Sequence, residues 1–283
     1  MGLIFRIVCS LSCKIAWILA SIKWPYPLNV VVLGILGRLF GINMIEAEKP
    51  LSQYRSFQDV FTRQLRPNSR RIDAEAEVVS PADGRVMDTF SLTNERPIFI
   101  KGTEYNVQDL IQDPFAANQG VGINIYLAPH NYHRFVMPMA GIIEQVKHIP
   151  GAYFPVNPSL QFMFPKTFIK NERVVLRCNT DGKRWYMIMI AALNVGGIKL
   201  PWYDALQNPS ALNESTYQQN DHLFIQGEEL GYFMMGSSIV LLFPDTPASE
   251  LTVHKDDVVH FGQSILKQFN THDFHEELKE EIR

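Results

Sequence analysis

The chain has 283 residues, 46% of them hydrophobic and 19% charged, with a formal net charge of −3 at pH 7, enough apolar material for one large core or two small ones. This balance gives no basic field for nucleic acid, and no glycine-rich phosphate loop of the Walker or dinucleotide type occurs. Cys9, Cys13 and Cys178 are the only cysteines, which argues against a disulfide framework or a cysteine metal centre and fits a reducing compartment, so no metal site is expected.

Leu3 to Trp24 and Leu28 to Ile42 are strongly apolar, but Arg6, Lys14, Lys23 and Arg38 punctuate them, and Pro25 and Pro27 break the run. No clean span of about 20 uncharged residues, the length a transmembrane helix needs, is reached. The pattern predicts two interfacial helices, with Trp17, Trp24 and Tyr26 at headgroup depth and the cations reaching toward anionic lipid. Lys14 interrupts the apolar stretch and no small-residue cleavage site precedes Pro25, which argues against a signal peptide. Packing of both helices on the protein's own core accounts for the same pattern equally well. Next, Phe57, Val60, Phe61 and Leu65 recur at a helical period, with Ser56 as N-cap and Pro67 as terminator.

From about Val78 the texture changes to short apolar runs bounded by Gly and Pro. Strands are predicted at Val121 to Leu127, Ile142 to Ile149, Arg173 to Cys178, Trp185 to Leu193 and Phe233 to Phe243. Between Pro201 and Asp221 the chain becomes rich in Asn, Gln and Ser and loses periodicity, as an exposed loop does. The charged tail from Asn270 to Arg283 reads as a solvated helix or a frayed end. The expected fold is α+β, with a helical, membrane-facing region over residues 1–66 and a β-rich, mainly antiparallel catalytic core over 67–283.

Within the last predicted strand, Gly236-Ser237-Ser238 interrupts an apolar run. Such a triplet marks a bend or a close backbone approach, and Gly-Ser-Ser is common in turns. It also permits chemistry. Transfer of the Gly236 acyl group to the Ser237 oxygen gives an ester, β-elimination releases the upstream chain, and hydrolysis of the dehydroalanine left behind yields a pyruvoyl cap at position 237.

Several separated stretches converge on one family. Ala47-Glu48-Lys49-Pro50, Tyr54-Arg55-Ser56-Phe57, Phe61-Thr62-Arg63-Gln64-Leu65-Arg66-Pro67 and Ser80-Pro81-Ala82-Asp83-Gly84 are followed by Lys101-Gly102 and Tyr105. Then come Tyr126-Leu127-Ala128-Pro129, Tyr132-His133-Arg134, Met137-Pro138, Ile149-Pro150-Gly151, Val156-Asn157 and Asn171-Glu172-Arg173. The series ends in Gly227-Glu228-Glu229-Leu230-Gly231-Tyr232-Phe233 and Met235-Gly236-Ser237-Ser238. In order and spacing, over roughly residues 43 to 265, this resembles the phosphatidylserine decarboxylases.

The resemblance implies a membrane-associated proenzyme that cuts itself between Gly236 and Ser237 into a β chain, residues 1–236, and an α chain, residues 237–283. The pyruvoyl cofactor at Ser237 would then condense with the amine of phosphatidylserine and accept the electrons released as carbon dioxide leaves, giving phosphatidylethanolamine. Asp83 matches the aspartate of an Asp-His-Ser self-cleavage triad, although Pro-Ala-Asp-Gly read alone is a good turn. His133 matches the decarboxylation histidine, a proton donor near neutral pH at an ordinary pKa of about 6.5. Substrate binding falls to Tyr132 and His133. The partners implied are phosphatidylserine and an anionic membrane surface, met peripherally on the cytoplasmic side of the cell membrane; a homodimer stays open.

The chain departs from the family pattern at the triad base. The family places a second histidine two residues beyond the arginine of Tyr-His-Arg, where this chain has Val136, which cannot take a proton. Asn131 replaces an acidic residue, and Gln226 replaces a lysine before Gly227. His130, His133 and His148 are the imidazoles that could stand in for the base. Two other readings follow, a processing-defective homologue that binds lipid without turnover and a decarboxylase for another amino-headed lipid.

Overall fold

The computed structural model describes residues 15, 18–94, 96–100, 102–157, 164–192, 197–203, 222–234, 236–267 and 269. Most of the first predicted helix, with Arg6, Lys14 and Trp17, lies outside these residues, as do 204–221 of the predicted loop and the tail from Asn270. Residues 18–21 are helical.

Helix α1 runs from Leu28 to Leu39 and helix α2 from Phe57 to Phe61. A reciprocal capping box starts α2: Asp59 N–H donates to Ser56 Oγ at 3.1 Å, and Ser56 N–H donates to Asp59 Oδ2 at 3.0 Å. The helix stops before Leu65 because the chain turns into extended pairing there. Leu65 bridges Ala47, and Glu48 N–H donates to Gln64 O at 2.8 Å. A separate apolar cluster holds these elements together through Leu33, Tyr54, Phe57, Val60 and Phe61. The opposite side of α1 is apolar as well, and Leu28, Val31, Ile35 and Leu39 are exposed along it. One face of α1 thus packs on the protein's own core through Leu33, and the other is uncovered. Among the described residues no helix is long and apolar enough to cross a membrane.

The remaining elements, in chain order, are β1 (Val78–Val79), β2 (Gly84–Ser91), β3 (Ile98–Ile100), β4 (Thr103–Tyr105), α3 (Val107–Ile111), β5 (Gly120–Leu127), β6 (Arg134–Val136) and β7 (Gly141–Ile149). They continue with α4 (Thr167–Lys170), β8 (Arg173–Thr180), β9 (Lys183–Ala191), β10 (Ile198–Lys199), β11 (Leu223–Phe224) and β12 (Glu229–Phe233). The last are β13 (Ser237–Pro244), β14 (Val258–Val259) and β15 (Ser264–Leu266). The expected α+β class with an antiparallel core is what forms. An eight-stranded sheet has the order β11-β7-β8-β9-β13-β5-β2-β14, with every neighbouring pair antiparallel. Its central strands are apolar on both faces, since both faces are covered. Trp185, Phe243 and Phe269 stack on one side, while Phe115 meets Tyr186 on the other.

The predicted strand from Phe233 to Phe243 is in fact two. β12 lies in a three-stranded sheet of order β10-β12-β6, whereas β13 is central in the eight-stranded sheet. The reason lies in the main-chain partners. Phe233 N–H donates to His133 O at 2.9 Å and Met234 N–H to Gly197 O at 3.2 Å, and from Ser237 onward the pairing transfers to β5 and β9. β12 ends at Phe233 and β13 begins at Ser237, in different sheets. Gly231 is required in β12 by close approach, because a Cβ there would sit 2.1 Å from the Lys199 carbonyl oxygen.

Candidate active site

Ser237 opens β13, with Leu127 of β5 on one side and Ala191 of β9 on the other. It is fully buried, and its Oγ has no hydrogen-bond partner. Opposed residues of an antiparallel ladder point to the same face and successive residues to opposite faces. Ser237 thus shares its face with Ile239, and through the row Ile239, Met189, Val174, His148 with the imidazole of β7. Ser238 points to the other face, with Tyr126 and Asn124.

His133 lies between β5 and β6, wholly buried against Phe61, whose ring centroid is 4.0 Å away. Its Nδ1 is 3.0 Å from Asn131 O. A carbonyl oxygen only accepts, so Nδ1 carries the proton and Nε2 is a bare lone pair, buried and without a partner. Burial pushes the pKa down to about 3, helped by the Arg63 and His130 charges and opposed by the bond to Asn131. Burial thus favours the neutral ring, with Nε2 as the acceptor. Tyr132, next to it, packs on Phe261 at 5.6 Å, and burial raises its pKa.

Asp83 ends the turn before β2, and Gly84 must follow because a Cβ there would lie 2.6 Å from Tyr126 O. The sheet places Arg85 opposite Tyr126 and Tyr126 opposite Ser238. The Asp83 turn is thus two strands, about 10 Å, from the start of β13. No histidine stands at position 136 to link this turn with Ser237. The Asp83 carboxylate receives Arg70 Nη2 at 2.7 Å and Phe261 N–H at 2.9 Å, and the exposed His260 Nδ1 is 3.3 Å away. Arg70 also reaches Glu46 at 3.0 Å. Val136, buried in β6, donates its N–H to Pro81 O at 2.8 Å, so the position where the family pattern has its base abuts this turn.

A second acidic group lies on the other side of Ser237, also two strands away. Ala191 N–H donates to Glu172 O at 2.9 Å, and Ala191 is the neighbour of Ser237 in the ladder. The Glu172 carboxylate binds the Tyr153 hydroxyl and is 3.4 Å from His148 Nε2, while His148 Nδ1 is buried without a partner. Of the three stand-in imidazoles, His133 and His148 each offer a buried, unpartnered nitrogen; His130 is exposed. The sequence motifs alone assign no role to Glu172, Tyr153 or Arg63. Asn171-Glu172-Arg173 was visible as a motif, but the proximity of Glu172 to Ser237 arises only from the β8-β9-β13 order.

The other two departures are accommodated locally. Gln226 Nε2 lies 3.0, 3.1 and 3.3 Å from the carbonyls of Ala76, Glu77 and Pro138, a cage that an ammonium group would also satisfy. Asn131 Oδ1 accepts from Ala128 N–H at 2.8 Å, the bond a carboxylate would make.

Among the described residues no group of three or more His, Cys, Asp or Glu is placed to hold a metal ion. A family model described as phosphatidylserine decarboxylase matches residues 57–267. A phosphatidylserine decarboxylase proenzyme of Coxiella burnetii is 35% identical over 242 residues, 83% of this chain and 85% of the relative. Proenzymes of the same name from Marinobacter nauticus and Myxococcus xanthus are each 33% identical, covering 76% and 85% of this chain and 78% and 88% of their own lengths.

Proposed function

The chain belongs to the phosphatidylserine decarboxylase family, and from that premise we propose that it converts phosphatidylserine to phosphatidylethanolamine with a pyruvoyl group made from its own Ser237. One observation carries the reading. A small, fully buried serine with an unpartnered Oγ directly follows Gly236, at the point where the chain crosses between sheets. Ser237 Oγ attacks the Gly236 carbonyl carbon, and the amide becomes an ester as the Ser237 nitrogen takes the proton. Removal of the Ser237 α-proton breaks the Cβ–O bond and expels Gly236 as a carboxylate. Water then displaces the nitrogen as ammonia, leaving a keto cap on residue 237.

The surroundings suit such a cap. Ala191 and Leu127 wall it with apolar side chains, and no bond ties the Ser237 oxygen elsewhere. Once formed, the pyruvoyl carbonyl supplies the sink for the electron pair freed as carbon dioxide departs. His133 Nε2 acts as acceptor at the reacting headgroup, and Tyr132 lines the approach to it. Asp83 holds its turn in place through Arg70. With Val136 beside that turn, the proton of Ser237 goes to another base, and the imidazoles with a buried, unpartnered nitrogen are His133 and, three strands across the sheet, His148.

The substrate is a membrane lipid, and the exposed stripe Leu28, Val31, Ile35 and Leu39, flanked by exposed Lys23 and Arg38, supports peripheral docking on an anionic surface. The few cysteines favour the cytoplasmic side of the cell membrane. Intact mass spectrometry of the purified chain tests the reading directly. Two fragments meeting at Gly236 and Ser237, the second bearing a pyruvoyl terminus, are expected. A stable single chain would leave a lipid-binding homologue without turnover.

A further inference from the structure

Arg63, two residues beyond α2, is 3% exposed, yet its Nε and Nη1 meet no acceptor. Two other arginines of the described chain are fully provided for. Arg173, 1% exposed, donates to the carbonyls of Leu110, Ile169, Asn171 and Asp109. Arg70 is shared by Asp83 and Glu46. A cation withdrawn from water without an acceptor is among the costliest arrangements a fold can hold. Burial lowers the Arg63 pKa, and Tyr54, Tyr132, Asp83 and Glu46 oppose that shift only through space. A guanidinium keeps its proton even so, and its fork of donors fits a phosphate or carboxylate.

We propose that Arg63 is the binding residue for the phosphodiester of the phospholipid headgroup, a role that rests on the decarboxylase reading. Its place in the fold supports this. The apolar stripe of α1 is exposed, and α2 packs with the other face of α1 through Phe57, Val60 and Phe61. Phe61 contacts the His133 ring, and Arg63 is close enough to depress the ionisation of His133. Arg63 thus lies near both the His133 ring and Tyr54 of the cluster that α1 packs on, where the phosphate of a lipid whose amino acid reaches His133 would fall.

The substrate has two anionic groups, and the reaction chooses between them. In decarboxylation the carboxylate gives up its electron pair to the forming carbanion, so a cation paired with it would stabilise the starting state more than the transition state. A cation on the phosphodiester, whose charge does not change, holds the lipid without that penalty.

The test uses the full chain and three soluble probes: dihexanoyl phosphatidylserine, dihexanoyl phosphatidylethanolamine, and an O-alkylserine with amine and carboxylate but no phosphate. Binding is titrated for wild type, Arg63→Lys and Arg63→Met. Arg63→Met should weaken both phospholipids about 10- to 100-fold and leave the O-alkylserine unchanged, with Arg63→Lys between them. Its ligand-free melting temperature should hold or rise, because an unpaired buried charge is gone. Unchanged affinity for phosphatidylethanolamine, or a loss confined to the two carboxylate-bearing probes, overturns the proposal. So does a fall in melting temperature in both variants without a change in binding, which is the mark of a merely structural arginine. Absence of carbon dioxide release by wild type that still binds phosphatidylethanolamine through Arg63 would refute the decarboxylase reading alone.

Discussion

The backbone N–H of Val136 donates to the carbonyl of Pro81 at 2.8 Å. That bond fixes an inert side chain against the turn that ends in Asp83, where the family pattern requires a base. Asp83 meanwhile is engaged by Arg70, Phe261 N–H and His260. Self-cleavage in this chain therefore needs a different proton acceptor from the one the motif supplies, and its rate is the quantity to measure.

Val136→His should speed cleavage of the chain, by up to the 10²- to 10⁴-fold that a positioned general base contributes. Ser237→Ala should leave one uncut chain, and Ser238→Ala should still cut, because Ser238 faces the other side of the sheet. A time course by denaturing electrophoresis distinguishes these. Complete cleavage of wild type on the fastest time scale, with no gain in Val136→His, would mean the acceptor already present is fully competent.

His148→Phe and His133→Gln separate the two imidazoles. If His148 takes the Ser237 proton, His148→Phe slows cleavage by at least about 100-fold, and Glu172→Gln slows it as well. His133→Gln should cut at the wild-type rate and lose decarboxylation. Cleavage lost in His133→Gln alone would assign the first step to His133.

His133 also predicts a pH dependence of stability. Its pKa falls from 6.5 in the unfolded chain to about 3 in the fold, so between those values the unfolded state binds more protons. The stabilisation is fully present above pH 6.5 and is lost as the pH falls toward 3. Denaturant unfolding of wild type and His133→Gln should show the wild-type advantage shrinking by up to about tenfold in folding equilibrium per pH unit over that window. Parallel profiles for the two proteins would mean that His133 keeps the same pKa in the folded and unfolded states.

Val31→Lys with Ile35→Lys replaces two exposed side chains of α1 and leaves its buried face, with Leu33, untouched. Co-sedimentation with anionic phospholipid vesicles should weaken by at least roughly tenfold while the melting temperature is held. Equal sedimentation would remove this stripe as the docking surface.

Gly231→Ala should destabilise the protein, by roughly 1–3 kcal/mol or more, since its Cβ would lie 2.1 Å from a main-chain oxygen of β10. The readout is thermal unfolding of an uncut Ser237→Ala background, where cleavage cannot confuse the transition.

The sequence by itself determined the local features. Alternating and continuous apolar runs marked β5, β7, β8 and β9 to within a few residues, Ser56 marked the cap of α2, and ordered motifs placed Asp83, His133 and Ser237 in one family. Each of these is encoded by neighbours along the chain. Tertiary structure alone decided the rest, because it depends on which strands lie side by side. The run from Phe233 to Phe243 is split between two sheets by the hydrogen bonds to His133 and Gly197, which no local pattern reports. Glu172 and His148 reach the face of Ser237 only through the β7-β8-β9-β13 order. The neutrality of His133 and the unpaired charge of Arg63 are products of burial, and burial is a property of the folded whole: the same residues in an exposed loop would be an ordinary histidine and a hydrated arginine.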